Sequence, residues 1–161
     1  MSTTSAETIG VVEVEKEHRL DAAANLISTA CAWSAGAGLL PIPVLDLVAL
    51  AAVQSQLCSD IAELYGQYFS KEASKSIVSV LWGTLVPGVL GSGLKSVPGL
   101  GYILGSVTFG AFAAGSTYAV GKVMVRHFEN GGTSNNFDAS QVGADLKREF
   151  VRASKSSSTN G

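Results

Sequence analysis

The stretch GAGLLPIPVL occupies residues 36–45, and GSGLKSVPGL follows at residues 91–100. Five of the ten aligned positions are identical: Gly36/Gly91, Gly38/Gly93, Leu39/Leu94, Pro43/Pro98 and Leu45/Leu100. Proline lacks an amide hydrogen and restricts the residue before it, and glycine adopts backbone conformations that other residues avoid. A cluster of both between long apolar runs reads as a corner between two helices. The chain has two such corners, Gly36–Pro43 and Gly91–Gly101. The reading is therefore two helical hairpins, with an internal repeat as one origin of the echo. A chance match in a chain with 18 glycines is the other.

Working outward, charge is absent from Ala22 to Leu45, from Leu47 to Ser59, from Ser76 to Leu94 and from Ser96 to Gly121. Strand alternation is weak throughout, and alanine-rich stretches with apolar residues on several faces favour closely packed helices. The expected fold class is all-α. Gly66 reads as a helix end and Ser70 as the N-cap of the next helix. After the apolar part, Val142, Leu146 and Phe150 recur every four residues among charged neighbours, which predicts a short amphipathic helix. The expected organisation is an acidic segment over 1–19, a hairpin domain over 20–128, a linker over 129–137, the amphipathic helix over 138–153 and a disordered tail over 154–161. Residues 1–10 are expected to fray.

Charged residues make up only 15% of the 161 residues, well below the usual quarter. So little charge covers a sphere poorly, and the apolar runs call for lipid, a partner or a compact bundle. At about 1.5 Å per residue, 19 to 26 uncharged residues reach across a hydrocarbon core about 30 Å thick. The second hairpin, 76–121, is expected to cross a bilayer. The first is poorer, because Asp46 sits at its corner and its return limb is short. Lys16, Arg19, Lys71, Lys75, Lys122 and Arg126 flank the hairpins on what would be one side, which predicts an inner-membrane protein with cytoplasmic termini. A cytoplasmic location is the alternative. Trp33, Trp82, Tyr65, Tyr68, Tyr102 and Tyr118 read either as interfacial belt or as core.

Candidate site residues follow from packing. Gly101 and Gly105 form a small-xxx-small pair that Gly110, Gly115 and Gly121 continue, and small residues let helices approach closely. The contact could be to another limb of the chain or to another copy. Pro41, Pro43, Asp46, Pro98 and Gly99 form the hairpin corners. Asp46 reads either as a cap for the helix that follows or as a functional acid within a membrane. Cys31 and Cys58 read as small buried hydrophobes rather than a disulfide.

Catalytic patterns are missing. No His, Cys or carboxylate cluster has metal spacing, and no nucleophile motif occurs. His18 and His127 read as surface or interface groups. The net charge of −2 and the lack of a basic stripe with interleaved aromatics argue against nucleic acid. No catalytic residue, metal or cofactor is expected.

The segments IPVLDLVALAAVQSQLCSDIAELYG (42–66) and VPGLGYILGSVTFGAFAAGSTYAVGK (97–122) carry a pattern. It is an I-P-x-x-D corner (Ile42, Pro43, Asp46), then Leu64-Tyr65-Gly66, then Val97-Pro98-Gly99 with Gly101, then Thr117, Tyr118 and Gly121. Over residues 20–128 this resembles the bacterial family known as domain of unknown function 697, which includes YcjF-like inner-membrane proteins and also occurs behind Era-like GTPase domains. The resemblance implies a helical, membrane-associated module near a GTPase, with no catalytic residues. This chain has no phosphate loop, since Gly121-Lys122 is followed by Val123 and lacks the glycine five positions earlier. A GTPase partner would be another chain.

The functional expectation is a non-enzymatic, membrane-embedded helical scaffold that forms homo-oligomers. The alternatives are a soluble all-helical homo-oligomer and, third, a small pore or transporter with Asp46 in its path.

Overall fold

The fold is known from a computed structural model. It describes the backbone of residues 3–37, 43–91 and 100–159, and most side chains within 12–36, 48–83 and 110–155. All the regular structure there is helical, so the fold is all-α. The helices are α1 (Thr3–Ala37), α2 (Pro43–Leu64), α3 (Lys71–Gly91), α4 (Leu100–Glu129) and α5 (Ala139–Thr159), with one 3-10 turn at Ser134–Asn136 before α5.

The helix ends follow local chemistry. Gly66 has φ +65° and closes α2. There the Gln67 amide donates to the Ala62 carbonyl at 2.8 Å and the Gly66 amide to the Glu63 carbonyl at 2.9 Å. This is the Schellman arrangement, which satisfies carbonyls left over at a helix end and needs a left-handed residue. The same geometry closes α4: Gly131 has φ +78°, its amide reaches Phe128, and the Gly132 amide reaches His127. Ser70 caps α3 as expected, its Oγ accepting from the Ala73 amide at 3.1 Å. Pro43 opens α2, where a missing amide hydrogen costs nothing.

α4 is the central helix and is therefore buried on several faces. It packs on α1, α2 and α5, and α2 also meets α1 and α3. The core joins Ala23 and Ile27 of α1, Leu57, Cys58 and Ile61 of α2, Ile77 of α3, Val120 and Met124 of α4, and Leu146 of α5.

Two expectations are corrected. α1 is one helix from Thr3, so no boundary falls at residue 19 and residues 3–10 belong to the helix. α5 runs to Thr159, well into the segment expected to be disordered, because its final Lys, Ser and Thr residues carry only modest helix cost and simply continue a helix already docked. Among the described residues α3 and α4 touch little, and α5 packs against both.

The expectation of spanning helices is corrected as well. Among the described residues no helix is long and apolar enough to cross a membrane. Freedom from charge is not the same as hydrophobicity. Nine of residues 100–121 are Gly, Ser or Thr, which removes charge without adding apolar surface. The tip of the expected spanning hairpin, residues 92–99, lies outside the described residues.

Candidate functional site

Two polar clusters sit on the bundle. The first closes one end of it. Glu129 is the last residue of α4, at a helix C-terminus, where the backbone dipole disfavours an acid. Three groups offset that. The Tyr65 hydroxyl donates to Glu129 Oε1 at 2.7 Å, Arg19 Nε donates to the same oxygen at 3.3 Å, and Lys16 Nζ lies 3.7 Å from Oε2. Burial pushes the Glu129 carboxyl up, but the hydrogen bonds from Tyr65 and Arg19 and the charges of Arg19 and Lys16 outweigh it, holding the group below its ordinary 4.5. Burial, and then the hydrogen bond to Glu129, push the Tyr65 phenol up to about 12. The Arg19 guanidinium sits 5.1 Å above the Tyr65 ring, which stacks on Phe128. Residues from α1, α4 and the turn after α2 are thus clamped together.

Beside this clamp, Arg126 of α4 reaches α5, pairing with Glu149 and, at 3.4 Å, with Asp145. Glu149 is 2% exposed, and Arg152 also approaches it at 3.3 Å. His127 donates from Nε2 to the Thr133 carbonyl at 3.0 Å and packs edge-on to Phe137, fixing the turn into α5. His18 is exposed.

The second cluster lies in the middle of the bundle and contains no charge. Ser34 Oγ and Thr117 Oγ1 share a hydrogen bond of 2.8 Å. Gln54 Nε2 donates to Ser116 Oγ at 3.0 Å, and Ser116 Oγ donates to the Ala113 carbonyl. All four residues are fully buried, and Gln54 Oε1 has no partner. Sequence reasoning missed this seam, although Gln54 stands on the same helical face as Leu50, Leu57, Cys58 and Ile61, a spacing that marks it as buried.

The expected glycine surface divides. Gly110 and Gly121, three turns apart, face α1: a Cβ on Gly110 would lie 3.4 Å from the Ala35 carbonyl, and one on Gly121 would overlap Ile27. Gly115 faces α5, where a Cβ would meet the Phe150 ring at 3.1 Å. These three serve contacts within the chain, and they do not form one face because their spacing rotates them around α4. Gly101 and Gly105 lie in the first turns of α4. Of the corner residues, Pro43 opens α2 and Asp46 lies within its first turn rather than at the cap; the Asp46 side chain is not among the described ones. Pro41, Pro98 and Gly99 lie outside the described residues.

Cys31 and Cys58 are free. Cys31 is half-buried, and its thiol donates to the Ala114 carbonyl at 3.4 Å; Cys58 is fully buried. Burial pushes the two thiols up to about 11 and about 12, so neither is activated as a nucleophile. On the outer side of α1 and α2 runs a groove of about 860 Å³ bordered by Leu26, Trp33, Val53, Asp60 and Glu63. Trp33 is 71% exposed there.

Residues 4–154 match the model of a family described as a domain of unknown function (DUF697). The chain belongs to this family. Its match extends past both ends of the 20–128 stretch that carried the resemblance. Magnetosome membrane protein 22 of Magnetospirillum gryphiswaldense is 34% identical over 137 residues, covering 81% of this chain and 69% of that protein. No solved structure matches the chain. Several residues of the family pattern have structural tasks here. Tyr65 holds Glu129, Gly66 ends α2, Thr117 holds Ser34, and Gly121 admits Ile27.

Proposed function

We propose that this chain is a non-enzymatic, membrane-associated scaffold that sets one end of its bundle in lipid and offers the other to protein partners. One observation carries the reading: charge is segregated along the bundle axis. α1 has no charged residue after Asp21, α2 none between Asp46 and Asp60, α3 none after Lys75, and α4 none before Lys122. α1 runs antiparallel to α4, with Arg19 level with Glu129 and Ser34 with Thr117, while α2 runs parallel to α4, so these uncharged stretches gather toward one end, where Asp46 in the first turn of α2 is the exception. Over residues 84–109, which include the α3–α4 connection, Lys95 is the sole charge.

Such an end is poorly hydrated and suited to the boundary region of a bilayer, where Trp is favoured. Exposed Trp33 and Val48 lie in the uncharged halves of α1 and α2. The relative named as a magnetosome membrane protein supports the same reading. The charged end would face the cytoplasm. Its protein partner, on the family resemblance alone, is a GTPase on another chain. Self-association would use the α1–α2 groove, because Gly110, Gly115 and Gly121 are already engaged within the chain.

Fractionation tests the proposal. The full chain should sediment with membranes, resist high-salt washing and come into solution with detergent. A chain that stays in the high-speed supernatant as a discrete assembly by light scattering would replace this reading with a soluble homo-oligomer.

A further inference from the structure

α5 carries several charges into the half of the bundle where α2 contributes only Asp46 and the described parts of α1, α3 and α4 contribute none. It begins near the charged end, where Asp145 and Glu149 meet Arg126. It then runs antiparallel to α4, so that Phe150 lies against Gly115 and meets Phe112 at 5.5 Å between ring centroids. Five residues further on, at about 1.5 Å each, Lys155 lies about 7.5 Å further along the axis of α5, on the side away from Arg126.

The two faces of this helix differ in charge. Leu146, Glu149 and Phe150 turn inward, with Leu146 and Glu149 buried. Ala144, Lys147, Arg148, Val151, Arg152 and Lys155 follow each other at helical spacing and are all exposed. That outer stripe holds four cations and no acid. The two acids of α5 are directed to arginines: Asp145 to Arg126 and Arg148, Glu149 to Arg126 and Arg152. A chain of net charge −2 thus places a cationic face beside its uncharged end, and it exposes Glu13, Glu15, Glu17 and Asp21 on α1 toward the opposite end.

We infer that the outer face of α5 binds the phosphate-bearing headgroups of anionic lipids. The inference rests on the membrane reading above and deepens it. An uncharged end that enters lipid carries the flank of α5 to headgroup depth. There the cations meet phosphates, while Val151 and the methylene stems of Lys and Arg cover the acyl boundary. The acidic part of α1 on a second copy has matching charge, but to meet α5 it needs an antiparallel pair, which would point the uncharged ends of the two copies in opposite directions and out of a single bilayer, and this favours the lipid.

Vesicle co-sedimentation of the full chain decides the matter. Vesicles of phosphatidylcholine alone are compared with vesicles that also contain phosphatidylglycerol. Each cation near an anionic surface contributes about a fivefold gain in binding. Because Arg148 and Arg152 share their charge with neighbouring acids and Lys155 also has contacts within the chain, an overall preference of only about tenfold for the anionic vesicles is expected, shrinking as salt screens it. Replacing Lys147→Gln, Arg148→Gln and Lys155→Gln together should abolish that preference and leave binding to neutral vesicles in place. The salt series on the unaltered chain decides on its own if the triple variant unfolds: a salt-insensitive preference overturns the inference. Equal binding to both vesicle types overturns it while sparing the membrane reading; binding to neither removes both. A triple variant that keeps the lipid preference but changes assembly mass would assign the face to a second copy instead.

Discussion

The clamp at Glu129 and the seam at Gln54 hold the same helices, α1, α2 and α4, by opposite means. The clamp uses full charges. Its Lys16 side chain is 54% exposed and Arg19 35%, so water reaches both cations. The seam uses only hydroxyls and one amide, in residues with no exposure at all. Desolvating an ion costs several kcal/mol and desolvating a neutral group far less, so charge is tolerable where the side chain can lean into water and hydroxyls serve where it cannot. Polarity type therefore follows access to solvent along the axis of the bundle.

The most demanding test of that rule is the Arg126–Glu149 pair, where one partner is accessible and the other is not. Arg126→Met would leave the buried Glu149 with Arg152 alone, and a loss of about 3 kcal/mol is expected. Glu149→Met should cost clearly less, because the guanidinium groups left behind can turn to solvent. Guanidinium titrations of both variants, followed by circular dichroism, check the asymmetry. Equal losses would break the comparison.

Gly121→Ala comes next. The added methyl overlaps Ile27 near its branch point, forcing α1 and α4 apart. Overpacking costs about 1–3 kcal/mol and the better helix propensity of alanine returns up to about 1, so a net loss of about 1–2 kcal/mol is expected in the same titration. Gly83→Ala, where the new methyl meets nothing, serves as the control and should be neutral or stabilising.

These glycines also show how far the chain can be read without coordinates. Gly66 and Ser70 were legible because a cap is a local device, settled by neighbours within four residues. So was the helical class. Which helices Gly110, Gly115 and Gly121 approach was not legible, since Gly121 to Ile27 and Gly115 to Phe150 depend on which helices lie beside α4. The Arg126 pairings join residues 19 and 23 positions apart, too far along the chain for a local pattern to show that the amphipathic helix docks on α4. The seam is not legible because Ser34, Gln54 and Thr117 lie in uncharged runs, where sequence does not tell a buried hydroxyl or amide from an exposed one. Lack of charge likewise overstates the spanning helices, because Gly, Ser and Thr are uncharged without being strongly apolar.

Within the seam the two sides should answer differently. Thr117→Val keeps shape but strips Ser34 of its partner, so a loss of about 1 kcal/mol is expected. Gln54→Leu removes an amide whose carbonyl oxygen is already unpartnered, and leaves Ser116 bonded to Ala113. Its cost should stay below about 1 kcal/mol and could reverse in sign. Thermal midpoints of the two variants, measured side by side, separate a seam that stabilises from one that merely tolerates its polar atoms.

The smallest effect belongs to the clamp, and it is best read through pH. Folding lowers the Glu129 pKa, so the ionised carboxylate is favoured in the native state. Its contribution is complete above the ordinary value of 4.5 and is lost as pH falls through the lower native value. Folding raises the Tyr65 pKa from 10.0 to about 12, which favours the neutral phenol. That contribution is complete below pH 10.0 and fades as pH climbs toward about 12. Glu129→Gln keeps an acceptor for the Tyr65 hydroxyl but removes the titration, so it should flatten the acid limb of the stability profile and leave the plateau near pH 7 only slightly lower. Lys16→Ala should barely move the profile, by less than about 0.5 kcal/mol, because an exposed pair at 3.7 Å is weak. If Lys16→Ala instead matched Glu129→Gln, the exposed lysine would be carrying the clamp, and solvent access would no longer explain why charges stand at one end of this bundle and hydroxyls in its middle.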